Sequence, residues 1–240
     1  MSKPKFPAVL CILAVMISGM TPAHPGSRGD ITVSSYSTSV AGQEEAVKTN
    51  IRIASSRLNG IEILPGETFS FNKTVGEGSA ANGYLSGRVL YQDRVAFEPG
   101  GGICQVSSTL FNALLISGFT IIERHRHSNP VMYVPPGLDA TIRYGRKDLR
   151  MKNPHPHSVL IYTSMNEGSL VITIKADRNI PDTYEVFTEE EVINIPFEEN
   201  PGKRVKPGAS IYVYRKKCIS GKGAETALLY RDFYPPSYSE

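Results

Sequence analysis

An α+β fold, with an antiparallel sheet packed on two main helices and a small all-β appendage at the C-terminal end, is what three features of this 240-residue chain predict. Apolar residues recur at helical spacing in only two stretches, near residues 43–58 and 103–117. From Gly118 onward they fall in short alternating or β-branched runs separated by turn residues. The 12 Tyr, 9 Phe, 21 Gly and 17 Pro, with no Trp, suit strands joined by tight turns. At 40% hydrophobic and 20% charged residues the makeup is that of an ordinary globular protein, which excludes collagenous, disordered and polytopic classes. A net charge of +3 carries no electrostatic footprint for nucleic acid, so none is expected as a partner.

The elements follow in order. Residues 1–23, MSKPKFPAVLCILAVMISGMTPA, set Lys3 and Lys5 before an apolar run from Ala8 to Ile17 and end on small residues at Ala23, the layout of a signal peptide. That run is about half of the ~20 residues a bilayer-spanning helix needs, so membrane contact is expected only through this segment if it stays uncleaved. Cys11, early in the run, reads as apolar filler. Cleavage would leave Cys104 and Cys218 in a compartment that permits disulfides, so a bridge between them stands as an alternative to free thiols. The expected location is secreted, or the extracellular face of the cell envelope.

Residues 31–178 form the main domain of this reading. Ile31 to Val40 alternates like a strand. Val47, Ile51, Ala54 and Leu58 share one face of a helix that stops at Asn59-Gly60. Pro65-Gly66 turns between two extended pieces, residues 61–64 and 68–72, the second placing Phe69 and Phe71 on one face, and residues 75–87 read as a loop. Three glycines, Gly100 to Gly102, open the second helix, Ile103 to Ser117, with Val106, Leu110, Ala113 and Leu114 on one side and Gly118 as its stop. Strands are then expected at residues 119–123, 131–134, 140–144, 158–164 and 170–175. Residues 182–240 change character: an acidic run, Glu189 to Glu191, and two Pro-Gly turns set off a last hairpin of residues 211–216 and 226–234.

Chemistry concentrates in residues 98–145. Cys104 opens a helix, where free N–H groups and the macrodipole favour a thiolate nucleophile. Gly101 and Gly102 would let the backbone approach a substrate, and N–H groups at Cys104 and Gln105 could cradle an oxyanion. His125 and His127, two apart at a strand end, would share a face; His127 is the expected base and His125 its reserve. Asp139 could hold the far imidazole nitrogen and fix its tautomer. Nucleophile at a helix start, then His, then Asp, is the order of papain-like and transglutaminase-like cysteine hydrolases, an analogy of arrangement only. Ser107 and Ser108 suit helix-carbonyl partners or the lining of the site, and Arg124 suits the carboxylates of a substrate. Each also has a plain alternative: Cys104 as a buried small residue, Asp139 as a turn residue, His155 and His157 as a surface turn. His125, His127 and Cys104 lack compact metal-ligand spacing, so neither metal nor cofactor is expected.

From roughly residue 48 to 165 the chain resembles the VanW-like family. NGIEILPGETFSFNKTVG (59–76), GGGICQVSSTLFNALLISGFTIIERHRHS (100–128) and YVPPGLDATIRYGRKDLRMKN (133–153) carry the resemblance; KNPHPHS (152–158) departs from it. The resemblance implies a Gram-positive cell envelope and peptidoglycan or its stem peptides as partner, and supplies no catalytic residues. Three functions remain open on these residues. A cysteine-dependent amidase, peptidase or transpeptidase would use Cys104, His127 and Asp139, with Gly101, Gly102, Gln105, Ser108, Arg124 and His125 on the substrate. A wall-binding module would use the same groove, with Tyr84 and Tyr133, without turnover. An accessory envelope protein would bury these residues or hold them apart.

Overall fold

The computed structural model describes residue 29 and residues 31–90, 95–194, 204–219 and 223–239; the expected leader and Cys11 lie outside them. No helix among the described residues is long and apolar enough to cross a membrane. The fold is α+β with antiparallel sheets, as the sequence predicts.

The main sheet is built from β1 (Ile31–Ser39), β9 (Ser169–Ala176), β8 (Val159–Met165) and β2 (Glu62–Ile63), in that spatial order. Alternation in β9 sends Leu170, Ile172, Ile174 and Ala176 into the core. Two long helices cover the sheet. α1 (Glu45–Leu58) is amphipathic and buries Val47, Ile51, Ala54 and Leu58, the stripe its spacing predicts. α3 (Ile103–Ile116) is different. Nearly all of its residues are buried, so it is the central rod of the domain rather than a surface helix with one apolar side. Its polar side chains are satisfied inside: Asn112 donates to the carbonyls of Ser108 and Leu138, and Thr109 shares a 2.8 Å hydrogen bond with Thr38 of β1.

A second sheet, β3 (Thr68–Ser70), β7 (Arg150–Lys152) and β6 (Thr120–Glu123), buries Phe69 and Met151. The chain leaves β3 directly into a short helix, α2 (Phe71–Val75), because the Ser70 hydroxyl caps it by accepting from the Lys73 N–H. The stretch read as a loop from Val75 to Gly87 holds a single 3₁₀ turn, Ala80–Asn82, and leads into a hairpin the sequence did not announce, β4 (Ser86–Leu90) with β5 (Val95–Pro99).

The strands expected at 131–134 and 140–144 do not form ladders. These residues run as irregular, partly extended chain, with one bridge between Arg143 and Lys147. Their backbone groups bond instead to α3 and to the chain after β6: Ala140 N–H donates to the Ser108 hydroxyl and Thr141 N–H to the His125 carbonyl.

The tail is all-β. β10 (Thr183–Ile193), β12 (Gly208–Ile219) and β13 (Gly223–Tyr234) make one antiparallel sheet, and β11 (Arg204–Lys206) pairs with β14 (Ser237–Ser239). It docks on the main domain through Val186, Ile211 and Val213, which are buried. Gly137 permits the approach, since a Cβ there would lie 2.7 Å from the Ile211 side chain. Arg215 donates to the Phe119 carbonyl at 2.7 Å, and the Tyr230 hydroxyl to the Gly137 carbonyl at the same distance.

Candidate functional site

Cys104 is the second residue of α3 and the one half-buried side chain in an otherwise enclosed first turn. Cys104 and Cys218 are both free thiols, so the bridge between them does not form. The Cys104 sulfur lies 3.5 Å from the Thr141 hydroxyl and 3.7 Å from the Ile142 carbonyl, close enough to the imidazole of His127 for each to shift the other's proton affinity.

His127 reaches the thiol because the chain after β6 and the chain around residue 140 run side by side. Thr141 N–H bonds the His125 carbonyl, while the Asp139 carboxylate accepts both the His127 backbone N–H and its Nδ1, each at 2.6 Å. Nδ1 is therefore committed to Asp139, which leaves Nε2 for the thiol. Tyr133 stands edge-on to the imidazole at 6.4 Å.

Charges follow from this geometry. Burial pushes the Cys104 thiol up, but the neighbouring His127 imidazole, with smaller help from the Ile142 backbone and the Thr141 hydroxyl, brings it below its ordinary value. Burial opposes a charged His127, yet its hydrogen bond to Asp139, then Cys104 and the Asp139 charge, push it up to about 9. Burial likewise acts against the Asp139 anion, and the His127 hydrogen bond and the Arg124 charge overcome it and hold Asp139 below the usual carboxylate range. All three shifts favour a thiolate beside an imidazolium near neutral pH.

The structure thus brings Cys104, His127 and Asp139 together. It disperses most of the residues expected on a substrate. Arg124 is only 6% exposed and already engaged: Nη2 bonds Asp139 Oδ1 at 2.9 Å, Nε the Asp139 carbonyl at 2.7 Å, and Nη1 both oxygens of Asp232. It supports the site and cannot meet a substrate carboxylate. Gln105 is buried under the end of β1, donating to the Thr38 hydroxyl and the Ser39 carbonyl, and its own N–H is taken by the Gly102 carbonyl. Ser108 is fully buried, its hydroxyl bridging the Cys104 carbonyl and the Ala140 N–H.

Gly101 and Gly102 serve packing. A Cβ at Gly101 would sit 2.7 Å from the Arg88 carbonyl at the base of the β4–β5 hairpin, and one at Gly102, where φ is +102°, 2.9 Å from Val47 and Ile51. His125 turns to Glu123 at 3.0 Å instead of sharing a face with His127, because β6 ends at Glu123 and strand alternation ends with it. Tyr84 is buried, beneath the Arg57 guanidinium, rather than lining a groove. His155 is buried too, not on a surface turn, and bonds the Ser117 carbonyl at the end of α3.

Sequence reasoning missed Thr141, Ile142 and Asp232. Thr141 could have been suspected from its place two residues after Asp139. Asp232 gave no sign, being 108 residues from Arg124. Among the described residues, no group of His, Cys, Asp and Glu is placed to hold a metal.

A family model described as VanW like protein matches residues 46–175. The chain is 38% identical over 139 residues to the uncharacterized protein YoaR of Bacillus subtilis (strain 168), covering 58% of this chain and 46% of that protein. It is 31% identical over 142 residues to the vancomycin B-type resistance protein VanW of Enterococcus faecalis (strain ATCC 700802 / V583), covering 57% of this chain and 52% of that one. It therefore spans about half the length of these curated relatives. No solved structure matches. The match of a single family model over more than half of the chain, with Cys104, His127 and Asp139 inside it, places this protein in the VanW-like family.

Proposed function

We propose that this is an exported cell-envelope protein that performs cysteine-dependent acyl transfer on the stem peptides of peptidoglycan, as an amidase, peptidase or transpeptidase. The observation that carries the reading is a Cys104 thiol whose charge is coupled to that of His127, an imidazole held at 2.6 Å by a buried Asp139 carboxylate. The envelope setting rests on the leader-like residues 1–23 and on family membership, and one relative is named for vancomycin resistance.

In this mechanism the Cys104 thiolate attacks an amide carbonyl of the peptide, forming the C–S bond as the carbonyl oxygen takes the negative charge. The Thr141 hydroxyl, 3.5 Å from the sulfur, is the side-chain donor placed to meet that oxygen. As the C–N bond breaks, imidazolium His127 gives its Nε2 proton to the leaving amine, and a thioester remains on Cys104. Neutral His127 then takes a proton from water or from an incoming amine, which attacks the thioester and frees the thiol. Water gives hydrolysis; an amine gives a new crosslink. Asp139 holds the imidazole through both halves.

The role expected of Arg124 passes to the turn that follows Ile142. Arg143, Arg146 and Lys147 are exposed there, on chain that continues directly from the carbonyl touching the thiol. A cationic rim at this position suits the carboxylates of a stem peptide.

The test is labelling of the folded protein with iodoacetamide across pH 5–9, with Cys104 and Cys218 read separately by mass spectrometry, followed by incubation with stem-peptide fragments. Labelling of Cys104 well below pH 8 that is lost in His127→Ala, together with a peptide thioester on Cys104, is the expected result. A folded protein whose Cys104 stays inert overturns the reading, and retention on purified peptidoglycan without turnover would then mark a binding module.

A further inference from the structure

The geometry points to Asp232, on β13 of the tail and outside the family-matched residues 46–175, as a positioning residue that sets the proton affinity of His127 through Arg124 and Asp139. This inference rests on the acyl-transfer reading and adds that the tail is part of the same site.

The connection is continuous and dry. Asp139 is 2% exposed in its side chain, Arg124 6% and Asp232 9%. Asp232 holds Nη1 of Arg124 with both oxygens, at 2.7 and 2.8 Å. With Nη1 fixed, the guanidinium turns Nη2 to Asp139 Oδ1 and the Gly137 carbonyl and Nε to the Asp139 carbonyl, so one arginine pins both the side chain and the backbone of Asp139. The planar group is held between two rings, Phe111 of α3 at 5.7 Å and Tyr230 of β13 at 4.7 Å. Tyr230 also bonds the Gly137 carbonyl, so two residues of one tail strand, Tyr230 directly and Asp232 through Arg124, hold the loop that carries Asp139.

The electrostatic consequence has a definite sign. An Arg124 without Asp232 would direct its whole charge at Asp139, drawing that carboxylate away from His127. Paired with Asp232, the guanidinium is neutralised from the far side, and the Asp139 charge is left to hold the imidazolium. Tyr133, Cys104 and Asp139 are the groups that face His127, and Arg124, Arg126, Asp139, Tyr230 and Tyr234 face Asp232. Of these, only Arg124 bridges the two sets through direct bonds to Asp139 and Asp232.

Full-length protein, Asp232→Asn and Asp232→Ala are compared by NMR titration of the His127 ring, by iodoacetamide labelling of Cys104 against pH and by thermal unfolding. Asp182→Asn, which breaks the tail's ion pair with Lys217 away from the site, is the control. In Asp232→Asn the proton affinity of His127 falls about tenfold, moving the alkaline limb of Cys104 reactivity down by about one pH unit; Asp182→Asn leaves both unchanged. Should Asp232→Ala fail to fold, Asp232→Asn, which keeps the shape and one good acceptor, decides. A folded Asp232→Asn with wild-type titration of His127 and a wild-type Cys104 profile overturns the role of Asp232 alone. A wild-type protein whose Cys104 shows no reactivity below pH 8 overturns the acyl-transfer reading, and this inference with it.

Discussion

His127 and His155 are both held inside the protein by short hydrogen bonds, and the fold drives them in opposite directions. Burial disfavours the charged form of each. At His127 the partners are a carboxylate and a thiol that can ionise, and the imidazole is pushed up to about 9. At His155 the main partner is the neutral carbonyl of Ser117, 2.7 Å from Nε2; burial prevails and the group is lowered. The difference is one of partner charge, not depth. A buried imidazole becomes half of an ion pair where the chain supplies an anion to it, and a helix cap where it supplies a carbonyl. The structure devotes two carboxylates and an arginine to the first outcome, and an aromatic edge, Phe119 at 6.0 Å, to the second.

Asp139→Asn is the change that should erase the contrast. The amide keeps the shape and one acceptor but removes the charge, leaving His127 with burial and a far weaker partner. Its proton affinity is expected to fall by about a hundredfold, back toward that of a free imidazole, and low-pH labelling of Cys104 should vanish with it. A titration of the His127 ring that stays near its wild-type position in a folded Asp139→Asn would show that Asp139 is not what raises it.

The second test uses stability. His127 is raised above its unfolded value of 6.5, so the stabilisation it brings is fully present below pH 6.5 and is lost as pH rises through about 9. The loss should not exceed about 3 kcal/mol, since 2.5 pH units separate the two values and the thiolate shares the interaction. Because the lowered Cys104 thiol gains stability over the same alkaline range, urea unfolding at pH 7 and pH 10 should show the loss in Cys104→Ala and not in the double variant Cys104→Ala, His127→Phe. Equal losses in both would place the alkaline weakness elsewhere.

Much of this could be read from the residues, and the failures share a cause. α1 and α3, the main-sheet strands and the meeting of Cys104, His127 and Asp139 follow from periodicity, from a glycine stop and from residue types in order. Arg124 suits a substrate on sequence grounds because a charged side chain is expected to reach water; its two carboxylates come from Asp139 and from Asp232, and no local pattern reveals a partner 108 residues away. The helix-carbonyl partners expected of Ser107 and Ser108 are present, but the partners that the polar residues of α3 find outside the helix are not legible in the sequence. Ser107, Ser108, Thr109 and Asn112 are buried, and their partners belong to α3 itself, to β1 and to the loop before Thr141. The triple glycine suggested close approach to a ligand. The approach is real, but the partner is the hairpin base and α1.

The smallest effect sharpens the comparison from the other side. His155→Gln keeps a donor of similar reach near the Ser117 carbonyl but removes the ring packed against Phe119. The expected cost at pH 7 is about 1–2 kcal/mol, the range for weakening one buried hydrogen bond and removing one edge-on aromatic pair. Because His155 is lowered, its neutral form brings stability that is complete above pH 6.5 and declines as pH falls through its folded value. The wild type should therefore weaken in mild acid more than His155→Gln does, so the two unfolding curves converge there. Cys104 labelling should be the same in both, since His155 bonds the far end of α3, about 20 Å along the helix axis from the thiol at 1.5 Å per residue. Altered Cys104 labelling in a folded His155→Gln would mean that strain at the cap of α3 is transmitted to its first turn, and the two histidines would then belong to one coupled system rather than to two independent uses of burial.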